Sequence, residues 1–385
     1  MYLDNAATTK VNSNMINELN KYMTEYYHNP SAIYSDAQAV KEKINKVRND
    51  VALTLNCSDK EIYFTSGGSE SNNWVIQGFV RRCVKEGIRP IIITTSIEHS
   101  SILNCINGIK AERYYVDVDE DGVVDIRHLE IILKAFRDKW YCDYGILVSI
   151  QTANNEIGTI QPIKEIGEIA HKYNALFHTD AVQAYRHISI DVEEMNIDML
   201  SASGHKIGAL KGVGFLYKRK GIDIEPLIYG TQEFEMRGGT ENVVGIVSLG
   251  EAIKESYSFT LADLEHLCKC REEIVNFFKS VGMKLIGHRT QRLPNNISVI
   301  LNEDISSESL IHFLDMNGIQ VSSGSACNNN TIEKSHVLKA IKIKEEDIDR
   351  VIRITIPSDL AKEDAITISK TIVGKINYLK KIMNS

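Results

Sequence analysis

The chain has no Cys-x-x-Cys pair, no apolar run approaching a membrane span and no basic block. Each absence excludes something. Without paired cysteine spacing, neither a structural zinc site nor a disulfide framework is supported; the seven cysteines are odd in number and scattered. Without a long apolar stretch or signal-peptide character at Met1-Tyr-Leu-Asp-Asn5, no membrane association is expected and the location should be cytoplasmic. Lys and Arg number 44 against 51 Asp and Glu, a net charge of −7, so direct nucleic-acid binding is not expected. What remains, 43% apolar and 25% charged over 385 residues, suits a globular protein of two domains.

Strand-like and helical patterns alternate along the chain. Helices are expected over Ser13–Tyr26, from the turn His28-Asn-Pro-Ser31 to about Leu55, from Ser66-Gly-Gly-Ser-Glu70 to about Glu86, and over Ile163–Tyr173. Short apolar strands read at Glu61–Thr65, Ile91–Thr95, Tyr114–Val116, Ile146–Ile150, Ala175–Phe177, Met199–Leu200 and Val213–Tyr217. Such alternation specifies an α/β fold with one mostly parallel, doubly covered sheet. From about Ser258 charged helices (Leu261–Lys279, Ser306–Asn317, Asp359–Met383) alternate with strands at Asn296–Leu301 and Arg350–Ile356. This predicts a smaller α+β domain at 258–385, joined by residues 1–14, beside a large domain at 15–257. Asp4–Thr9 has no period and is left between a ligand-approaching segment and a plain N-terminal coil.

The chemistry concentrates between His178 and Lys206. Asp180 and the Ser203-Gly-His205-Lys206 run follow apolar strands, and open α/β sheets bind ligands at such carboxyl ends. A carboxylate, an amide at Gln183 and a lysine suit a cofactor with a cationic ring and an aldehyde. Pyridoxal 5'-phosphate has four handles: the aldehyde for Lys206, the ring nitrogen for Asp180, the phenolic oxygen for Gln183, and a phosphate for which Gly68, Ser69, Ser203, His205 and Thr240 are candidates. His99 is a candidate to stack on the ring, although a satisfied loop histidine is the plainer reading. Adjacent Asn154 and Asn155 are either turn formers or amides aimed at a ligand. The stretch Val321-Ser-Ser-Gly-Ser-Ala-Cys327 lacks a large apolar anchor after Val321 and reads as an exposed loop carrying one thiol.

These motifs, with Leu3-Asp-Asn-Ala-Ala-Thr-Thr9, Phe64-Thr-Ser-Gly-Gly68, Glu98-His99, Asn154-Asn-Glu-Ile-Gly158, Gly239-Thr240 and Arg353, resemble in order and spacing the cysteine desulfurases of the NifS/IscS type. These belong to the class V aminotransferase group of fold-type I enzymes. The resemblance implies the pyridoxal-phosphate transferase fold, its large domain built on a seven-stranded mostly parallel sheet. It further implies that Lys206 holds the cofactor and moves the substrate α-proton. Asp180 would pair with the ring nitrogen, Gln183 with the phenolic oxygen, and His99 would stack and relay protons. Ser69, Ser203 and His205 would take the phosphate, with Thr240 from the second subunit of a homodimer. Asn155 and Arg353 would hold the carboxylate of L-cysteine. Cys327 would attack the substrate sulfur, leaving alanine and a persulfide for a sulfur-acceptor protein, such as an iron–sulfur scaffold or a thiolation enzyme.

The chain also departs from that pattern. Tyr34 stands where the family usually has His, and Ile207-Gly-Ala-Leu-Lys-Gly212 replaces a proline-containing run after Lys206. Asn328–Asn330 replaces the small and hydroxyl residues usual after the nucleophile. A selenocysteine lyase, another fold-type I enzyme or a non-catalytic sulfur-transfer scaffold are the competing readings.

Overall fold

The computed structural model describes residues 1–137, 144–302, 304–323 and 334–383. Seven strands form the larger sheet: β1 (Ile62–Thr65), β2 (Arg89–Thr95), β3 (Glu112–Val116), β4 (Tyr144–Ser149), β5 (Leu176–Asp180), β6 (Met199–Ser203) and β7 (Gly214–Lys218). Their spatial order is β1-β7-β6-β5-β4-β2-β3. Strands β3, β2, β4, β5 and β6 run parallel, while β7 is antiparallel to both β6 and β1. Chain length decides the sense of β7. Only residues 204–213 separate it from β6, too few for a crossover, so the chain must double back.

Helices cover both faces of this sheet. Ser35–Leu55 buries Val40, Ile44, Val47, Val51 and Leu55, at the three-to-four spacing of one helix face. Gly68–Glu86 packs Trp74, Val75, Ile76 and Phe79 on the other side, in a separate cluster with Ile92, Leu147 and Leu216. The expected helix over Ser13–Tyr26 is a 3₁₀ turn at Ser13–Met15 followed by Ile16–Thr24. A short helix at Ser100–Asn107 carried no expectation.

The smaller sheet has the order β10-β9-β8, all antiparallel, with β8 (Lys284–Leu285), β9 (Asn296–Ile300) and β10 (Val351–Thr355). Helices Leu261–Ser280 and Lys362–Met383 pack on it through Leu267, Ile274, Phe278, Ile368 and Ile372. The first of these starts at a capping box between Thr260 and Asp263, which satisfies backbone N–H groups otherwise left free.

Residues 1–9 join the two sheets. Leu3 lies in the core of the smaller one; its N–H donates to the Gln320 carbonyl at 2.8 Å and its carbonyl accepts from Thr355 N at 2.7 Å. The segment then passes to the larger sheet. Among the described residues no helix is long and apolar enough to cross a membrane.

Candidate functional site

Asp180 ends β5 and is buried, 7% exposed. Its two oxygens are held separately: Oδ1 accepts from Val182 N at 2.9 Å and Oδ2 from Asn72 Nδ2 at 2.7 Å. One donor on each oxygen fixes the carboxylate plane and leaves lone pairs for a further cationic partner.

Lys206 lies at the end of a 3₁₀ turn directly after β6. Its Nζ donates to the carbonyls of Ala6 at 2.5 Å and Ala7 at 2.8 Å. Gln183 Nε2 reaches the same Ala6 carbonyl at 3.0 Å. Thr9 is stitched alongside: its N–H and Oγ1 both donate to the His205 carbonyl at 2.9 Å, and Gly208 N donates to its Oγ1 at 2.7 Å. The N-terminal segment therefore packs directly against Lys206 and Gln183. The altered run after Lys206 is also held without its proline. Ala209 N donates to Gly204 O at 3.1 Å and Leu210 N to Ser248 Oγ at 3.1 Å.

The Gly68–Glu86 helix begins beside these groups. Its N-cap, Gly67, offers no side-chain cap, and among the described residues the N–H groups of Gly68 and Ser69 have no hydrogen-bond partner. A Cβ on Gly68 would collide with Val182, and one on Gly67 would sit 3.5 Å from Ser203 Oγ. Free N–H groups at a helix N-terminus, approached this closely only because side chains are missing, are what an anionic group requires. Buried Ser203 adjoins this cradle. His205 Nδ1 lies 3.2 Å from Thr8 Oγ1; burial, then the Lys206 and Lys211 charges, pull its pKa down to about 4, so the ring is neutral.

His99 caps the Ser100–Asn107 helix, its Nδ1 accepting from Ser101 N at 3.1 Å. Burial lowers its pKa; the Asp180 carboxylate opposes this, and Lys206 and His336 reinforce it. His99 thus lies within electrostatic reach of both Asp180 and Lys206. A cleft of about 560 Å³ opens beside it, lined by Ser69, Asn73, Gln77, Ser101, Asn104 and Cys105.

At the other end, buried Arg353 in β10 donates to Asp4 Oδ1 at 2.7 Å and to the Asn155 carbonyl at 3.0 Å. Its Nε is buried without a partner among the described residues. Of the asparagine pair, Asn154 is a turn former: its Oδ1 accepts from Glu156 N and Ile157 N, and its Nδ2 donates to Ile97 O. Asn155 is half-buried beside it. Glu156 is buried, which raises its pKa, and it accepts from Ser335 Oγ at 2.6 Å.

Two expected site residues are not gathered here. Thr240 is exposed and makes no hydrogen bond among the described residues. Cys327 lies outside the described residues. Conversely, Asn72 and Ser101 sit beside these groups without having been singled out, and Asp4 and Ala6 were named only as part of the segment Asp4–Thr9. The cue for Asn72 was available, since Ser71-Asn-Asn73 places poor helix formers inside a helix where function must outweigh propensity.

The donor set fits pyridoxal phosphate: an oriented carboxylate, an amine, and free N–H groups at a helix N-terminus where a side chain on Gly68 would strike Val182. Residues 1–364 match the family model for class-V aminotransferases. The chain is 42% identical to a protein from Methanosarcina thermophila named cysteine desulfurase IscS, covering 99% of this chain and 93% of that one. A solved structure described as a NifS-like protein superimposes with a TM-score of 0.89 at 33% identity, covering 98% of this chain and 99% of the other. A second, described as SspA in complex with cysteine, gives a TM-score of 0.78 at 33% identity over 93% of this chain and 99% of that one. With the family model matched over residues 1–364 and relatives covered over nearly their full length, the chain belongs to the class-V aminotransferase family.

Proposed function

We propose that this protein is a pyridoxal-phosphate-dependent cysteine desulfurase, converting L-cysteine to L-alanine with a persulfide left on Cys327. The observation that carries the reading is the gathering of Asp180, Gln183 and Lys206 at the ends of adjacent strands, with Lys206 Nζ and Gln183 Nε2 meeting on the Ala6 carbonyl. The names of the relatives supply the reaction class, and a relative solved with cysteine supports the substrate.

Bound pyridoxal phosphate would supply an aldehyde for amine capture and a ring that accepts an electron pair from the substrate α-carbon. Lys206, Asp180, Gln183, His99 and the phosphate donors Gly68, Ser69, Ser203 and His205 would hold it. Thr240, exposed on its own chain, would complete the phosphate site of a second copy. Arg353 and Asn155 would bind the substrate carboxylate, since a planar guanidinium matches it with paired N–H donors. Lys206 would remove the α-proton. The Cys327 thiolate would attack the substrate sulfur; the S–Cys327 bond forms, the substrate C–S bond breaks, and the carbon skeleton takes up a proton and leaves as alanine. The persulfide would then pass to a sulfur-acceptor protein. The division into 15–257 and 1–14 with 258–385 is part of this reading, supported by Leu3 packing with Leu267 and Ile372.

The test is to incubate purified protein with pyridoxal phosphate and cysteine and weigh it by mass spectrometry. Wild type should gain one sulfur, Cys327→Ser should keep the yellow colour but gain none, and Lys206→Ala should lose the colour. Undiminished sulfide release by Cys327→Ser would overturn the assignment.

A further inference from the structure

An unbroken line of hydrogen bonds joins the two groups on which the cofactor site depends. It runs from Asp180 Oδ2 to Asn72 Nδ2 (2.7 Å), from Asn72 Nδ2 to Ser101 Oγ (2.9 Å), and from Ser101 Oγ to His99 Nδ1 (2.8 Å). Three elements contribute: the end of β5, the Gly68–Glu86 helix and the first turn of Ser100–Asn107.

The direction of each bond follows from which groups own hydrogens. The Asp180 carboxylate only accepts, so Asn72 must present its NH₂ to it. Turning the amide over would set Asn72 Oδ1 against the Asp180 carboxylate, acceptor against acceptor. Asn72 is 1% exposed, and Oδ1 has no partner among the described residues, so both its hydrogens are committed and its oxygen is left idle. The second hydrogen occupies a lone pair of Ser101 Oγ, which turns that hydroxyl's own hydrogen toward His99 Nδ1. The backbone N–H of Ser101, which cannot accept, also points at Nδ1 from 3.1 Å. Two donors therefore face Nδ1, and it cannot itself carry a proton.

We infer that Asn72 and Ser101 are positioning residues that lock neutral His99 as the Nε2–H tautomer and fix the plane of the Asp180 carboxylate. The inference rests, for its catalytic meaning, on the pyridoxal-phosphate reading of the site. Its consequence is a division of labour in the ring. Nδ1 is consumed by the protein, and Nε2 is the nitrogen with a proton to give. Burial and the helix N-terminus both disfavour a second proton, so His99 starts as a donor rather than a cation.

The experiment is ¹⁵N NMR of ring-labelled histidine in the holoenzyme and in the cofactor-free chain, with His99 assigned by its loss in His99→Gln. Wild type should show an unprotonated, hydrogen-bonded Nδ1 and a protonated Nε2 in both forms. Ser101→Ala should move the Nδ1 signal toward that of an unbonded lone pair, and Ser101→Thr should restore it. Asn72→Ala removes a donor to a buried carboxylate, and should weaken pyridoxal-phosphate binding by about ten- to a hundredfold. A proton on Nδ1 in wild type, or unchanged cofactor affinity in soluble, folded Asn72→Ala, would overturn the inference. The wild-type spectrum alone decides the tautomer if a variant fails to fold. A wild-type chain that binds no pyridoxal phosphate would sink the reading of the site, and the catalytic meaning with it, whereas an Nδ1–H ring with normal cofactor binding would sink only this inference.

Discussion

Replacing Glu233 by Gln should destabilise the protein by about 3–5 kcal/mol, the cost of breaking a buried ion pair from one side. The structure gives the reason for so large a value. The Glu233 side chain is 3% exposed, and its carboxylate takes Arg48 Nη1 at 2.6 Å, Arg48 Nη2 at 2.7 Å and Phe64 N at 2.7 Å. Gln has the shape but must point an NH₂ at one of these donors, leaving the Arg48 charge with the Ile62 carbonyl and half a partner. The pair also restrains unusual backbone. Glu233, Phe234 and Glu235 have φ of 46°, 56° and 67°, three consecutive left-handed residues without a glycine. Each such residue costs about 1–2 kcal/mol. Weakening the clamp should therefore let this segment relax before the rest unfolds. For 385 residues the unfolding entropy is about 0.8 kcal/mol/K, so the melting midpoint should fall by about 4–6 °C. Hydrogen exchange should quicken first at Ile228–Gly239, where Gly238 N donates to Ile228 O. A drop of less than about 1 °C with unchanged exchange in this segment would refute the clamp. The double variant Arg48→Met/Glu233→Leu should recover part of the loss, because it leaves no charge stranded.

Three further outcomes follow from other contacts. Arg353→Lys keeps a charge but cannot serve Asp4, the Asn155 carbonyl and a carboxylate together; KM for cysteine should rise by about ten- to a hundredfold with kcat less affected, and an unchanged KM would remove Arg353 from substrate binding. Glu98 is held by Thr95 Oγ1 and Gln151 N, yet burial pushes its pKa up to about 8. The folded state then holds a proton that the unfolded chain releases above its ordinary value of 4.5, so stability should fall as pH rises between the two; Glu98→Gln should remove that slope in urea titrations, and parallel pH profiles would count against it. Gly214→Ala would put a methyl 2.5 Å from the Ala202 carbonyl and 2.6 Å from the Gly67 Cα, displacing the anion cradle from behind; equilibrium dialysis should show weaker pyridoxal-phosphate binding, and normal affinity would show that the cradle tolerates the shift.

The parts of this site legible in the sequence are those written locally. Asp180 and Lys206 follow strands, and short apolar runs in the sequence located those strands. Gly67-Gly68 announced a tight approach before a helix. Distance in the chain hid the rest. Arg48 and Glu233 are 185 positions apart, and nothing beside either names its partner. The Ser100–Asn107 helix escaped because it is short and is capped by a histidine, an uncommon N-cap, instead of Ser, Thr, Asp or Asn. Alternating strands suggested a mostly parallel sheet without saying which strand is reversed, and the short return after Lys206 is what reverses β7. The family resemblance supplied an expectation that local pattern could not, that a thiol far along the chain serves a lysine in the middle.

The packing of residues 1–9 against Lys206 and Gln183 has a consequence for the order of events during synthesis. Asn5 Nδ2 donates to the carbonyl of Thr355, 350 positions later. Residue 5 thus waits for residue 355, roughly 20–70 s at ordinary elongation rates. Until β10 emerges, the Ala6 carbonyl that receives both Lys206 and Gln183 has no strand to hold it in place. The larger sheet can be complete while its lysine still lacks one side of its socket. Cofactor capture should accordingly wait for β10, and a ribosome-bound chain stalled before Val351 should fold its large sheet yet remain colourless.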